Sequence, residues 1–321
     1  MLRFLLELVP PLGLGLLLGI RFPALPGRLA PALITWGIPI SLVALLLRAG
    51  FRAELLTAAL MAAAASGLGL LLLLRLPALG RTIPEGSLQL GCIMGNTGYW
   101  GLPVALALLP AEAIGFTIAF DLMATLITWS LGPLLVDRRT GGLRQQLQVL
   151  ATSPALRGLA LAVMLQQTPW SAALARVLWW PARLVVLVAL ALVGMRLGLM
   201  LRRRPAGSVG PPDPGGPAGG SALGAALAGK LLALPLVMLL LAGLLGLPIP
   251  LRDAVVLQAA APTALSVLLL TEAAAARPPA APDSGRRQAV EAVATLVLWS
   301  TALALISVPL WWWLLSGPLG S

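Results

Sequence analysis

The sequence predicts an all-α polytopic membrane protein, and three observations carry that expectation: charge is scarce, apolar blocks have membrane-spanning length, and arginines cluster asymmetrically. Of 321 residues, 59% are hydrophobic and 10% charged, against about 25% charged in soluble domains. Mean hydropathy is +0.95. So few charges cannot cover a water-facing surface. The apolar blocks run to roughly 20 residues, which as helix at about 1.5 Å per residue spans a ~30 Å hydrocarbon core.

Long apolar runs broken by Gly, Pro and charge define ten expected spans, at 2–20, 29–48, 53–74, 85–109, 113–136, 154–169, 172–200, 223–247, 252–274 and 291–316. The sixth is short and ends on Gln166 and Gln167, and the seventh is long enough to tilt. The first lacks a small-residue cleavage site and a strongly basic start, so a retained helix is expected. Two sets of five follow: a first repeat at 1–136, a cytoplasmic connector at 137–153, and a second repeat at 154–321. Within the second, 202–222 is basic, then Pro/Gly-rich, and reads as a disordered loop. Its Arg202–Arg204 run reads as a stop-transfer cluster, with anionic-lipid contact as the alternative.

Lysines and arginines in alternate loops fix the expected sidedness. Arg3, Arg48, Arg52, Arg176 and Arg252 fall on one side. Arg21, Arg28, Arg75, Arg81, Arg138, Arg139, Arg144, Arg202, Arg203, Arg204, Arg277, Arg286 and Arg287 fall on the other. Both termini are therefore expected outside a bacterial inner membrane. Arg157, Arg183, Arg196 and Lys230 lie inside spans, near ends where long side chains snorkel.

A net charge of +11 could mark a nucleic-acid surface, but most arginines sit in turns where topology requires them, so no nucleic-acid partner is expected. Cys92 is the only cysteine and histidine is absent, so no disulfide, metal site or cofactor is expected. One deep aspartate without histidine or an activated serine also argues against an intramembrane enzyme, and no catalytic residues are assigned.

Gly91–Pro103 reads GCIMGNTGYWGLP. Glycine costs about 1 kcal/mol against alanine inside a helix and proline about 3, and Pro103 frees the carbonyl of Tyr99. Such freed groups persist in a membrane only where protein or a water-filled cavity satisfies them. Asn96, Thr97 and Tyr99 add polar groups at the same depth. The ninth span carries Pro262 beside Gln258, Thr263 and Ser266. Pro103 and Pro262 each fall in the fourth span of a five-span set, and odd-numbered sets run in opposite directions. Paired interruptions in two inverted halves are the sequence pointer to a midplane substrate site in a secondary transporter. Depth agrees: Asn96 lies about 16 Å along a helix from Glu85, and Pro262 about 15 Å from Arg252.

GNTGYWGLP, the ninth-span AAAPTALS and a last span reading TLVLWSTALALISVPL together resemble the auxin efflux carrier family, in its short bacterial permease branch, over essentially the whole chain. The resemblance implies fourth and ninth helices that break at prolines and cross at the midplane, where a small organic anion, typically a carboxylate, binds. Malonate is among the substrates suggested for bacterial members. Asn96 matches the family asparagine, and Pro103 and Pro262 match its crossover prolines. Thr97, Tyr99, Gln258 and Thr263 complete the expected substrate-binding set. The long central hydrophilic loop of plant members is absent, and with it any expectation of phosphoregulation there. Bile-acid:sodium symporters share a similar crossing, so a sodium-coupled organic-anion symporter is the alternative; no acidic and polar cluster matches a sodium pair site. The expected partners are the anion and the bilayer, with a second copy of the chain as a further candidate.

Asp121 lies about 13–14 Å beyond Glu112 in the fifth span, the only acid placed near the midplane. A carboxylate there costs several kcal/mol unless hydrated, paired or protonated, which makes it the proton-coupling candidate. A structural carboxyl near Thr117 or Thr125 is the alternative. Trp311, Trp312 and Trp313 read as an interfacial belt.

Overall fold

Leucine and alanine favour helix, and in an apolar solvent a helix lets each N–H find a carbonyl within its own segment. The structure, a computed structural model, describes residues 2–136, 154–203, 220–276 and 284–317. Among these every regular element is helical. The helices are α1 (Leu2–Arg21), α2 (Leu25–Ala32), α3 (Ile38–Ala49), α4 (Ala53–Arg75), α5 (Pro77–Thr82), α6 (Gly86–Ile93), α7 (Leu102–Leu108) and α8 (Ile114–Val136). After the connector come α9 (Pro154–Gln166), α10 (Ser171–Val177), α11 (Trp179–Arg203), α12 (Gly220–Ala228), α13 (Leu234–Leu244), α14 (Ile249–Ala259), α15 (Leu265–Ala275) and α16 (Ser284–Ser316). The connector 137–153 lies outside the described residues, as does 204–219 of the expected loop. The rest of that loop is helical: α11 runs through Arg203, and α12 begins at Gly220.

Among the described residues, six segments are long and apolar enough to cross a membrane: Leu25–Ala49, Ala53–Leu73, Ala111–Ser130, Trp179–Arg202, Gly220–Leu244 and Gly285–Ser316. The regular structure of the described residues is therefore all helical, and the chain is a membrane-embedded protein. The expected fourth and ninth spans are each divided, into α6 and α7 and into α14 and α15. The expected seventh span is also two helices, α10 and α11, meeting at Leu178 three residues before Pro181.

Among the described residues, three helices widen into single π turns, at Leu33–Gly37, Thr97–Gly101 and Gly229–Ala233. Each turn ends two residues before a proline: Pro39, Pro103 and Pro235. A proline ring collides with the carbonyl four residues back and offers it no N–H. A wider turn ahead of the ring relieves the collision, leaving that carbonyl to find another donor. For Pro235 the carbonyl is that of Leu231, and the Trp311 indole N–H donates to it at 2.9 Å. Trp311 is accordingly buried, 8% exposed, so it does not belong to the expected interfacial belt; Trp313, at 60%, keeps an exposed position.

Glycines bring one helix pair into main-chain contact. A Cβ added at Gly15 would lie 2.9 Å from Ala191 Cα, and one at Gly19 would lie 2.7 Å from Met195 Cα. From the other side, Cβ atoms at Gly194 and Gly198 would lie 2.9 and 3.0 Å from the backbone nitrogens of Leu16 and Ile20. Two small-xxx-small stripes thus bring α1 and α11 main chain to main chain. Rising numbers face rising numbers, so the two helices run parallel. Polar contacts close the seam at both ends: Arg183 pairs with Glu7 at 3.2 Å, and Arg202 donates to the Ile20 carbonyl at 3.0 Å.

Candidate functional site

The two interrupted helices meet at their gaps. α6 ends at Ile93 and helix resumes with the π turn at Thr97; α14 ends at Ala259 and α15 starts at Leu265. Across the gap, Asn96 N–H donates to the Pro262 carbonyl at 2.6 Å and Ala264 N–H to the Met94 carbonyl at 2.9 Å. Gly95 and Thr263 face each other between these bonds as an antiparallel bridge. In such a non-hydrogen-bonded pair the Cα atoms come closest, which glycine at 95 permits.

Pro262 sits in its gap as expected, but Pro103 does not interrupt its helix. It lies buried in the first turn of α7, seven residues past Asn96. The physical reason is that the π turn at Thr97–Gly101 accommodates the ring. There Gly101 N–H reaches back five residues to the Asn96 carbonyl at 2.9 Å.

Three glycines of the first broken helix each face a polar side chain. A Cβ at Gly98 would lie 3.1 Å from both Asp121 carboxylate oxygens. One at Gly95 would lie 3.2 Å from Lys230 Nζ, and one at Gly101 would lie 3.0 Å from Gln258 Cδ. Each glycine is a place where a side chain from another helix approaches the backbone.

Asp121, half-buried on α8, accepts a hydrogen bond from the Thr97 hydroxyl. Its partner is therefore not Thr117, whose hydroxyl turns back to the Ala113 carbonyl at 3.1 Å. The carboxylate lies at the start of the second half of the broken helix, where unsatisfied N–H groups and the helix dipole favour negative charge. Asn96 (6% exposed) and Thr97 (3%) are buried at the same end, with Tyr99 partly buried beside them. Gln258, 1% exposed, carries the opposite signature: neither its amide nitrogen nor its oxygen has a partner. The adjoining Trp100, fully buried, leaves its indole nitrogen unpartnered as well. Buried polar atoms without partners are uncommon and call for an explanation.

Thr263, expected in the substrate-binding set, is engaged within the crossing itself. Its hydroxyl donates to the Gly91 carbonyl at 2.9 Å, and its N–H donates to Ser300 Oγ at 3.1 Å. With 0% exposure it holds the gap together, and both of its donors are engaged there.

Lys230 overturns an expectation more sharply. It does not snorkel to an interface: it is 0% exposed, and its ammonium donates to the Ala259 carbonyl at 2.6 Å. Ten residues of helix precede it in α12 and the π turn and fourteen follow it to Leu244, so its stem cannot reach either end. Position along the span was the available signal. No protein-family model matches this chain, and no curated protein matches its sequence.

Proposed function

We propose that the protein is a secondary transporter that moves a small organic anion, a carboxylate, across a bacterial inner membrane by alternating access. The observation that carries this reading is the crossing itself. Two helices interrupted inside apolar surroundings are joined through Asn96, Pro262, Met94 and Ala264, with Asp121, Lys230 and the unpartnered Gln258 gathered around them. Interrupted helices within a membrane typically frame the substrate and ion sites of transporters. The resemblance of GNTGYWGLP and AAAPTALS to the auxin efflux carrier family supports the same reading. In this arrangement α1, α9 and the two divided helices complete ten spans, arranged as two inverted sets of five.

The substrate carboxylate and the Asp121 carboxylate compete for the helix end that begins at Thr97, where Asp121 now accepts from the Thr97 hydroxyl. Protonation of Asp121 releases that end for the anion, and anion departure returns it to Asp121. This exchange makes the carrier proton-coupled. Asn96 and Gln258 donate amide N–H groups to the bound anion from the two crossing helices.

Uptake of radiolabelled carboxylates into proteoliposomes tests the function; failure of every small carboxylate to exchange faster than in empty liposomes would sink it. Asp121→Asn is expected to abolish uptake driven by a pH gradient while solute binding stays measurable. Should the variant concentrate substrate as the wild type does, Asp121 is structural.

Sidedness has its own test. In a Cys92→Ser background, Ser321→Cys is expected to react with an impermeant thiol reagent on whole cells and Ser208→Cys to stay protected. The reverse pattern would invert the topology read from the arginines.

A further inference from the structure

Lys230 is the only lysine in the chain, and it sits at 0% exposure against the crossing. A buried ammonium persists only where acceptors replace its water. The hydrogen bonds of the second gap supply one. In a continuous helix the Ala259 carbonyl would accept from Thr263 N–H, but that N–H is turned to Ser300 Oγ at 3.1 Å. The carbonyl is therefore left open at the C-terminus of α14, the negative end of the helix dipole. The Lys230 ammonium fills it at 2.6 Å. The Ala261 carbonyl lies in the same neighbourhood: a Cβ at Gly95 would be 3.2 Å from Lys230 Nζ and 3.5 Å from Ala261 oxygen. Backbone carbonyls at the end of an interrupted helix are the groups that hold sodium ions in sodium-coupled carriers.

Local sequence builds the placement. The π turn Gly229–Ala233 sets the lysine's direction, and Gly229 lets that turn lie against Cys92, whose sulfur a Cβ would approach to 2.5 Å. Gly95 leaves room for the ammonium on the other side.

We propose that Lys230 is the resident cation of the crossing: its ammonium occupies the carbonyl cradle at the end of α14 that a sodium ion would otherwise need. Two consequences follow. The cradle takes no external cation while Lys230 is present, and it accepts a small monovalent cation once the ammonium is removed. The further consequence, that anion movement is independent of sodium, rests on the transporter reading; the cradle does not.

Thermal unfolding of the purified full-length protein tests the cradle at equal concentrations of sodium, potassium, ethylammonium and choline chloride. Wild type is expected to melt at one temperature in all four salts. Lys230→Ala is expected to melt several degrees lower in choline and to recover part of that loss in ethylammonium or sodium, because choline is too large for the vacated space. The proposal is overturned if Lys230→Ala is as stable as wild type in choline, if no cation restores it, or if sodium raises the wild-type melting temperature above that in choline. Should Lys230→Ala fail to fold, the wild-type comparison and Lys230→Met, which keeps most of the stem and is expected to melt below wild type in choline, decide the matter. Proteoliposome uptake by wild type is expected to differ less than twofold between sodium and choline, and a tenfold dependence on sodium would overturn the proposal. Absence of any carboxylate flux would overturn the transporter reading and leave the thermal result standing.

Discussion

Replacing Asn96 with alanine is expected to weaken carboxylate binding by about 1–3 kcal/mol, the range for leaving a buried polar partner unsatisfied, or roughly fivefold to more than a hundredfold in Kd. The substitution isolates the side chain. Asn96 reaches the Pro262 carbonyl through its backbone N–H, which alanine retains, so the bridge stays intact. Leu72→Ala is the control, since Leu72 lies on α4 with 37% of its surface exposed. Calorimetric titration of the purified variants with the transported carboxylate separates the two outcomes. Equal affinity in Asn96→Ala and wild type would remove the amide from the anion site.

A larger effect on folding is expected at the α1–α11 seam. Gly15→Leu places a side chain where the Ala191 main chain already lies, with the Cβ alone 2.9 Å from Ala191 Cα. Most overpacking costs about 1–3 kcal/mol because side chains can shift. Here backbone blocks the way, so the loss should exceed about 3 kcal/mol and force the helices apart. Gly13→Leu, two residues away on the same helix, is the matched control, because a Cβ there meets nothing within 4 Å. In detergent, Gly15→Leu is expected to aggregate or elute as a broad peak and Gly13→Leu to elute and melt like wild type. Indistinguishable behaviour of the two variants would mean that the seam does not stabilise the fold.

Parts of this arrangement were legible in the residues because their cause is local. Pro262 interrupts its helix where it stands, and the glycines of Gly91–Gly101 mark a backbone approached by other side chains. The place of the first gap is not legible because Pro103 has two structural solutions, a gap or a wider turn, and sequence alone does not choose between them. Lys230 is not legible in the sequence because a single lysine inside an apolar run looks like a snorkelling residue until its distance from both helix ends is known. Thr263 looked like a ligand group, yet its hydroxyl is turned to the Gly91 carbonyl of a helix 172 residues away in sequence. The α1–α11 seam could have been found, since Gly15-x-x-x-Gly19 and Gly194-x-x-x-Gly198 are both readable patterns. What no pattern reveals is that the two stripes face one another. Of the ten expected spans, six correspond to described segments long and apolar enough to cross a membrane, and the two read as broken are each divided into shorter helices.

The bridge between Met94–Asn96 and Pro262–Ala264 also behaves as a mechanical part. Sliding one strand past the other by a single residue would break both main-chain bonds and bring the opposite faces together. Rotation about the short line joining the two bonds is resisted by a third tie between the same two interrupted helices, the bond from the Thr263 hydroxyl to the Gly91 carbonyl. The crossing is therefore braced against shear and torsion alike, as a riveted joint is, and the half-helices on either side of it are held to move together.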